Sequence, residues 1–213
     1  YYLQGADELT FLDVTAANEN RSTTRDMVTR CAEELFIPLT VGGGIRRLED
    51  VSLLLEAGAD KVSIGSAGVA RPELLAEIAG EHGNQILVIS LDIKRGASPS
   101  GFVITSHGGR QETGLDALQW IERVQELRAG DLMINSIDAD GTREGFDLDL
   151  IEKVRKISAV PIIASGGAGK VSDFVDAAQA GADALLAASV FHSGEISIAQ
   201  VKQALDQAGI EAR

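Results

Sequence analysis

Pro38-Leu39-Thr40-Val41-Gly42-Gly43-Gly44 is echoed by Pro161-Ile162-Ile163-Ala164-Ser165-Gly166-Gly167. Ala57-Gly58-Ala59-Asp60 is echoed by Ala180-Gly181-Ala182-Asp183, and Ser66 by Ser189, each pair 123 positions apart. One such match would carry little weight, but three in one register make the two halves of the chain alike. Each half has a glycine-rich turn, ending at Gly44 or Gly167, and a small-residue turn, Gly65-Ser66 or Ala188-Ser189. Turns of this kind expose backbone N–H groups that hold phosphate. Two of them suggest a ligand with a phosphate at each end.

Around these turns, short Val, Ile and Leu runs alternate with amphipathic patterns. Strands are expected at 8–14, 39–41, 61–64, 86–92, 131–136, 162–164 and 184–187. They show little polar alternation, as in a parallel sheet covered on both faces. Helices are expected at about 22–35, 47–57, 72–82, 114–128, 147–157, 171–180 and 197–208, each opening near a capping residue or a first-turn proline such as Pro72. The alternation gives an α/β fold. Of a doubly wound sheet and a (β/α)8 barrel of the TIM type, the half-chain repeat favours the barrel, built as two half-barrels. Roughly seven βα units are visible where a barrel has eight. Tyr1–Gln4 reads as the last turn of a helix capped by Gly5, so a first strand and its loop are expected upstream. Residues 94–113 form an unusually long connection. Phe102-Val103-Ile104-Thr105 and the following His107-Gly108-Gly109-Arg110 suggest a small hairpin within it. Nothing in it reads as a linker, so 1–213 is taken as one domain.

Composition narrows the function. The hydrophobic fraction of 45% supports a sizeable core, and a net charge of −13 argues against nucleic acid as the main partner. No apolar run approaches the ~20 residues that span a bilayer, so no membrane association is expected. One cysteine, Cys31, excludes an internal disulfide and fits a small buried hydrophobe in a reducing, cytoplasmic setting. The three histidines are scattered, and Asp138-Ala139-Asp140-Gly141-Thr142 lacks the rest of a calcium loop. No metal or cofactor is expected.

Active sites of barrels lie where strands end and βα loops begin. Asp13, Asp92, Asp138 and Asp140 fall at such ends. A carboxylate there often caps the next helix. Asp92 is followed by no helix start for about twenty residues, which leaves proton transfer as its better explanation.

Phe11-Leu12-Asp13-Val14-Thr15-Ala16, Thr40-Val41-Gly42-Gly43-Gly44-Ile45, Gly58-Ala59-Asp60-Lys61-Val62-Ser63-Ile64, Ser136-Ile137-Asp138-Ala139-Asp140-Gly141-Thr142 and Ile163-Ala164-Ser165-Gly166-Gly167-Ala168-Gly169-Lys170 together resemble the cyclase subunit of imidazole glycerol phosphate synthase (HisF-type). The likeness extends to about Val201. It implies a barrel that takes ammonia from a glutaminase partner. The ammonia would react with a bis-phosphorylated ribulosyl aminoimidazole carboxamide nucleotide, giving imidazole glycerol phosphate and aminoimidazole carboxamide ribotide in histidine biosynthesis. By position, it implies one phosphate at Gly44, Gly65 and Ser66, and the other at Gly167, Ala188 and Ser189. Asp92 would be one of two catalytic carboxylates, with Asp13, Asn135, Asp140 and Ser165 lining the pocket. Glu8, Lys61, Asp131 and Asp60 would lie at the partner face, where charged residues of the family gate an ammonia passage. Against the family pattern, Gly65 stands for Asn and Asn135 for Thr. The second carboxylate and one gate residue belong to a first strand not found in this sequence. A related sugar isomerase barrel of the same pathway, and a non-catalytic glutaminase-binding fragment, are the alternative readings.

Overall fold

The computed structural model describes residues 1–13 and 23–213. Seven parallel strands form its frame in the order β1 (Leu9–Leu12), β2 (Leu39–Gly42), β3 (Lys61–Ile64), β4 (Leu87–Arg95), β7 (Asp131–Ser136), β8 (Ile162–Ser165) and β9 (Ala184–Leu186). A hairpin, β5 (Phe102–Ser106) and β6 (Gln111–Asp116), adds antiparallel to the far end of β4. Helices follow the strands: α1 (Thr23–Glu34), α2 (Leu48–Glu56), α3 (Ser66–Ala70), α4 (Glu73–His82), α5 (Ala117–Glu126), α6 (Leu148–Ile157), α7 (Val171–Gln179), α8 (Ser189–His192) and α9 (Ile198–Gln207).

Alternation along each strand divides the sheet into two unlike faces. Leu87, Ile89, Leu91 and Ile93 of β4 join the apolar core beneath the helices, together with Leu39 and Val41 of β2 and Val62 and Ile64 of β3. The intervening Thr40, Lys61, Ser63, Ser90, Asp92, Asp131 and Asn135 fall on the other face. That face carries these polar side chains, with Val88 and Met133 among them, which differs from the uniformly apolar strands expected from sequence. The described strands other than β4 are only three to six residues long, too short to show the pattern.

The polar face is the inside of a curl. In a flat sheet Glu8, beside β1, and Asp131, on β7, would be about 19 Å apart, four strand spacings. Both reach the Lys61 ammonium, at 3.6 and 2.8 Å. The sheet's two ends also meet: Asp7 binds Lys202 of α9 at 2.7 Å, and the Tyr1 ring packs edge-on against His192 of α8. This is the geometry of a TIM-type (β/α) barrel. Among the described residues, β1 hydrogen-bonds only to β2 and β9 only to β8.

The repeat is structural to the level of register. Leu9–Leu12 pair with Leu39–Gly42 as Leu132–Asn135 pair with Ile162–Ser165. Asp60 accepts a hydrogen bond from the Leu39 N–H at 2.8 Å, and Asp183 accepts one from Ile162 at the same distance. Asp50 accepts from the N–H groups of Arg46 and Arg47 at the start of α2, as Asp173 does from Gly169 and Lys170 at the start of α7.

Several boundaries differ from expectation. β4 runs on to Arg95 because the hairpin pairs with its extension. The segment from 107 to 110 is the turn of the expected hairpin. His107, Gly108 and Gly109 carry φ of 54°, 67° and 83°. Gln111–Asp116 forms β6, so the helix expected from 114 starts at Ala117. Helices α3 and α8, five and four residues long, are too short to show a periodic pattern. Position 14 of the first expected strand, position 22 of the first expected helix and the motif residues Val14, Thr15 and Ala16 lie outside the described residues.

Asp116 fixes that junction. Its carboxylate accepts from Leu118 and Gln119 at the start of α5 and from the Ser100 N–H of the β4–β5 turn. Burial opposes its charge, but the hydrogen bonds from Ser100, Gln119 and Ser98 win and hold the carboxyl at about 2. A pKa depressed by folding adds stability above the ordinary aspartate range and loses it as pH falls towards the folded value. Asp116→Ala should therefore cost about 1–2 kcal/mol at neutral pH. Urea denaturation across pH should show the gap from the parent chain closing between about pH 4 and pH 2.

Candidate active site at the carboxyl ends of the strands

Asp92 lies on the inner face of β4, in register with Asn135 of β7, which is in register with Ser165 of β8. The Asn135 amide donates to the Asp92 carboxylate at 3.0 Å. Burial raises the Asp92 carboxyl above the ordinary aspartate value. The Asn135 hydrogen bond works against that rise, and the negative charge of Asp140 adds to it. Thr105 of the hairpin donates to the Asp92 carbonyl at 2.8 Å and holds the backbone there. The result is a half-buried carboxyl that holds its proton more firmly than a free aspartate does, the direction of shift that suits a general acid–base group.

Glycine turns flank this carboxyl on both sides. Gly43-Gly44 follows β2 and Gly65-Ser66 follows the adjacent β3. Gly166-Gly167 follows β8 and Ala188-Ser189 follows the adjacent β9. With β4 and β7 between these pairs, Asp92 and Asn135 stand midway across the mouth. Gly43 and Gly166 have φ of 100° and 90°. A Cβ at Gly43 would lie 2.2 Å from the Asp13 carbonyl oxygen, and one at Gly166 would lie 2.8 Å from that of Ser136. Glycine is therefore required at these two positions by close backbone approach alone, whatever binds there. Gly65 is different: its φ of −108° is open to any residue, and Ala188 adopts −122° at the equivalent point. Ser66 and Ser189 open α3 and α8, where the first N–H groups have no acceptor within the helix.

Asp13 directly follows β1, its N–H bound to the Gly42 carbonyl at 2.9 Å. Asp140 lies in the loop after β7, where its N–H donates to the Ser136 carbonyl at 2.9 Å. The Ser66 hydroxyl accepts from the His107 N–H at 2.9 Å, a contact of the hairpin with the β3 turn that the sequence reading missed. Nothing in a Ser-His pair 41 residues apart signals it.

At the opposite end of the same inner face, Lys61 binds Asp131 at 2.8 Å and Glu8 at 3.6 Å. Burial works against its charge, but the hydrogen bond and attraction of Asp131, joined by Glu8, hold the ammonium above the ordinary lysine range. Asp60, expected at this face with them, has a different task. Its carboxylate is committed to the Leu39 N–H, a backbone clamp that the repeat duplicates at Asp183. Between the two ends lie Ser63 and Ser90. The buried Ser63 hydroxyl has no hydrogen-bond partner among the described residues, and Ser90 meets only the Met133 sulfur, at 3.9 Å. The sequence reading passed over these serines because each looks like a lone interruption of an apolar strand. Among the described residues, no group of three or more His, Cys, Asp or Glu side chains is arranged to hold a metal ion.

A curled parallel sheet with a half-buried carboxyl midway between two repeat-related glycine turns, at the carboxyl ends of the strands, defines a TIM-type (β/α) barrel with its candidate site at the mouth. The chain belongs to the histidine biosynthesis protein family, whose family model matches residues 1–197. Its relatives include the proteins named imidazole glycerol phosphate synthase subunit HisF from Leifsonia xyli subsp. xyli, 65% identical, and from Thermobifida fusca, 60% identical. Each alignment covers all of this chain and 84% or 85% of the relative. The subunit of the same name from Streptomyces griseus is 56% identical over all of this chain and 84% of its own length.

The Asn135–Asp92 bond makes a prediction whose sign is fixed. An amide donor favours the ionised carboxylate, so Asn135→Ala should raise the Asp92 midpoint further, by roughly half to one pH unit. Carbon-13 NMR of the labelled carboxyl measures it.

Proposed function

We propose that the chain is the cyclase subunit of an imidazole glycerol phosphate synthase in histidine biosynthesis. Its substrate would be a bis-phosphorylated ribulosyl aminoimidazole carboxamide nucleotide, with ammonia supplied by a glutaminase partner. The observation that carries this reading is the placement of Asp92 between the two glycine turns, in a chain so similar to HisF subunits. The Gly44, Gly65 and Ser66 backbone would take one phosphate, and Gly167, Ala188 and Ser189 the other. The reacting part of an open-chain substrate spanning them would lie over Asp92 and Asn135. Asp92, poised by burial, would move protons during ammonia addition, C–N cleavage and ring closure. Asp13, Asp140 and Ser165 would complete the polar wall. No cofactor enters this scheme, and the products would be imidazole glycerol phosphate and aminoimidazole carboxamide ribotide. The cytoplasm is the proposed setting, and no described helix is long and apolar enough to cross a membrane.

Ammonia is proposed to enter past Lys61, Glu8 and Asp131 and travel along the inner face by Ser63 and Ser90 to the mouth. A protonated lysine held by two carboxylates blocks that way until it swings aside. Lys61→Ala should therefore lower glutamine-supported turnover several-fold with the partner present, and change turnover on added ammonia much less. Equal losses from both nitrogen sources would remove the gate from the scheme.

The decisive experiment follows the ammonia-dependent conversion of the bis-phosphorylated nucleotide, with and without Asp92→Asn. The substitution keeps the shape and removes the titrating group. Turnover should fall by about 10²–10⁴-fold while substrate affinity changes little. A rate close to the parent's would refute the role of Asp92, and isomerisation of a sugar phosphate without ammonia would move the chain to the isomerase class.

A further inference from the structure

Arg95 ends β4 three residues beyond Asp92 and meets both ends of the loop that follows β7. Its backbone N–H donates to the Asp138 carboxylate at 2.6 Å, at the loop's start. Its guanidinium donates to both oxygens of Asp147, at 2.9 and 3.2 Å, at the loop's end, and to Asp149 at 3.2 Å in the first turn of α6. Asp147 is itself bound inward. It accepts from the Leu150 N–H as the cap of α6 and from the Ser136 hydroxyl at the end of β7. The guanidinium rests 4.8 Å above the Phe102 ring of β5, which fixes its plane. One guanidinium nitrogen on Asp147 and the other on Asp149, with the plane over an aromatic ring, is an arrangement arginine makes and lysine does not.

Between these two anchors the loop turns through Gly141, Arg143 and Gly145, all at positive φ, and it carries Asp140. Arg143, at φ 61°, is further held by Glu195 at 3.0 Å. Asp140 is the charged group that acts on Asp92 from this loop: a Cβ built on Gly166 would lie 3.4 Å from the Asp140 Cβ and 3.1 Å from Oδ1 of Asn135, the residue whose amide binds the Asp92 carboxylate. From β7 Asp92 meets the neutral Asn135, and Lys94 of its own strand is paired with Glu112 at 2.6 Å.

We infer that Arg95 is a positioning residue: by closing the loop between Asp138 and Asp147 at both ends, it sets the Asp140 carboxylate against Asp92. This deepens the proposed mechanism, in which Asp92 moves protons, but its test needs no turnover. In the full chain, the Asp92 carboxyl is titrated by carbon-13 NMR in Arg95→Ala, Arg95→Lys and Asp149→Asn, and hydrogen exchange is followed over residues 138–146. Arg95→Ala should lower the Asp92 midpoint by roughly half a pH unit as the like charge drifts away. It should also speed loop exchange several-fold. Arg95→Lys should recover only part of each effect, because one ammonium cannot hold Asp147 and Asp149 together as the guanidinium does, while the backbone bond to Asp138 persists in every variant. Asp149→Asn, which loses only an exposed partner, should leave both unchanged. An unmoved Asp92 midpoint in Arg95→Ala, with or without a lower melting temperature, would overturn the inference and leave Arg95 a purely structural clamp. If Arg95→Ala does not fold, the midpoint in Arg95→Lys decides in the same way. Should the midpoint shift while Asp92→Asn retains full turnover, the positioning stands and the catalytic reading of Asp92 falls.

Discussion

No side chain fits at position 43 or position 166, and the layout of the mouth depends on that. The strand before each glycine ends by laying its backbone against the turn, Asp13 against Gly43 and Ser136 against Gly166. This close approach brings the end of β1 over β2 and the end of β7 over β8. It thereby sets Asn135, one residue before Ser136, at the height of Asp92. Gly167 continues the constraint. A Cβ there would lie 2.0 Å from the Gly145 carbonyl oxygen, while the Gly145 N–H donates to the Gly167 carbonyl at 2.8 Å. The loop that carries Asp140 is thus packed against the second glycine turn. The glycines that a phosphate reading would single out are, in the first instance, what allows the carboxylates to assemble.

The two halves share this skeleton and diverge where chemistry is needed. Register, helix-start aspartates and the clamps of Asp60 and Asp183 are duplicated at 123 residues. The hairpin is not part of the duplicated pattern. It extends β4 past the sheet edge, supplies Thr105 to the Asp92 backbone and brings His107 to Ser66. A symmetric scaffold gives two equivalent glycine turns, the proposed phosphate sites, and one asymmetric insertion shapes the space between them.

Much of this was legible from the sequence because the repeat is local. Leu39–Val41, Lys61–Ile64 and Asp131–Ser136 read correctly as strands from apolar runs bounded by glycine, proline or aspartate. The place of Asp92 on its strand also followed from a chain-local fact, the apolar run Val88-Ile89-Ser90-Leu91 before it. What stayed hidden was pairwise and long-range. Thr105 on the Asp92 carbonyl, Arg95 on Asp138 and Asp147, and Asp60 on Leu39 are contacts between elements, and no spacing rule encodes them. Residues 114–116, the end of β6, were read as the start of a helix because Gln111-Glu112-Thr113-Gly114 carries no alternation to mark a strand. Its partner strand, not its composition, makes it extended.

Lys61 and Asp92 show why burial alone does not determine the state of a charged group. Both are taken from water on the same inner face, and desolvation is the largest influence on each. At Lys61 two carboxylates overcome it, so the ammonium keeps its proton more firmly than in water. Asp92 faces a neutral amide, whose hydrogen bond offsets burial only in part, and a second carboxylate that adds to it, so its proton affinity rises. One end of the barrel is therefore held in a fixed charge state, and the other is poised to change it. That suits the proposed ammonia passage, which would stay closed at rest, and the proposed role of Asp92 in proton transfer. The same physics makes the ionised Asp92 a net cost to folding at neutral pH: a carboxyl whose folded pKa is raised loses stability as pH climbs through the window between the two values. A fold selected for stability alone would place an uncharged residue there, and a charge kept at such a cost is the mark of a group retained for what it does.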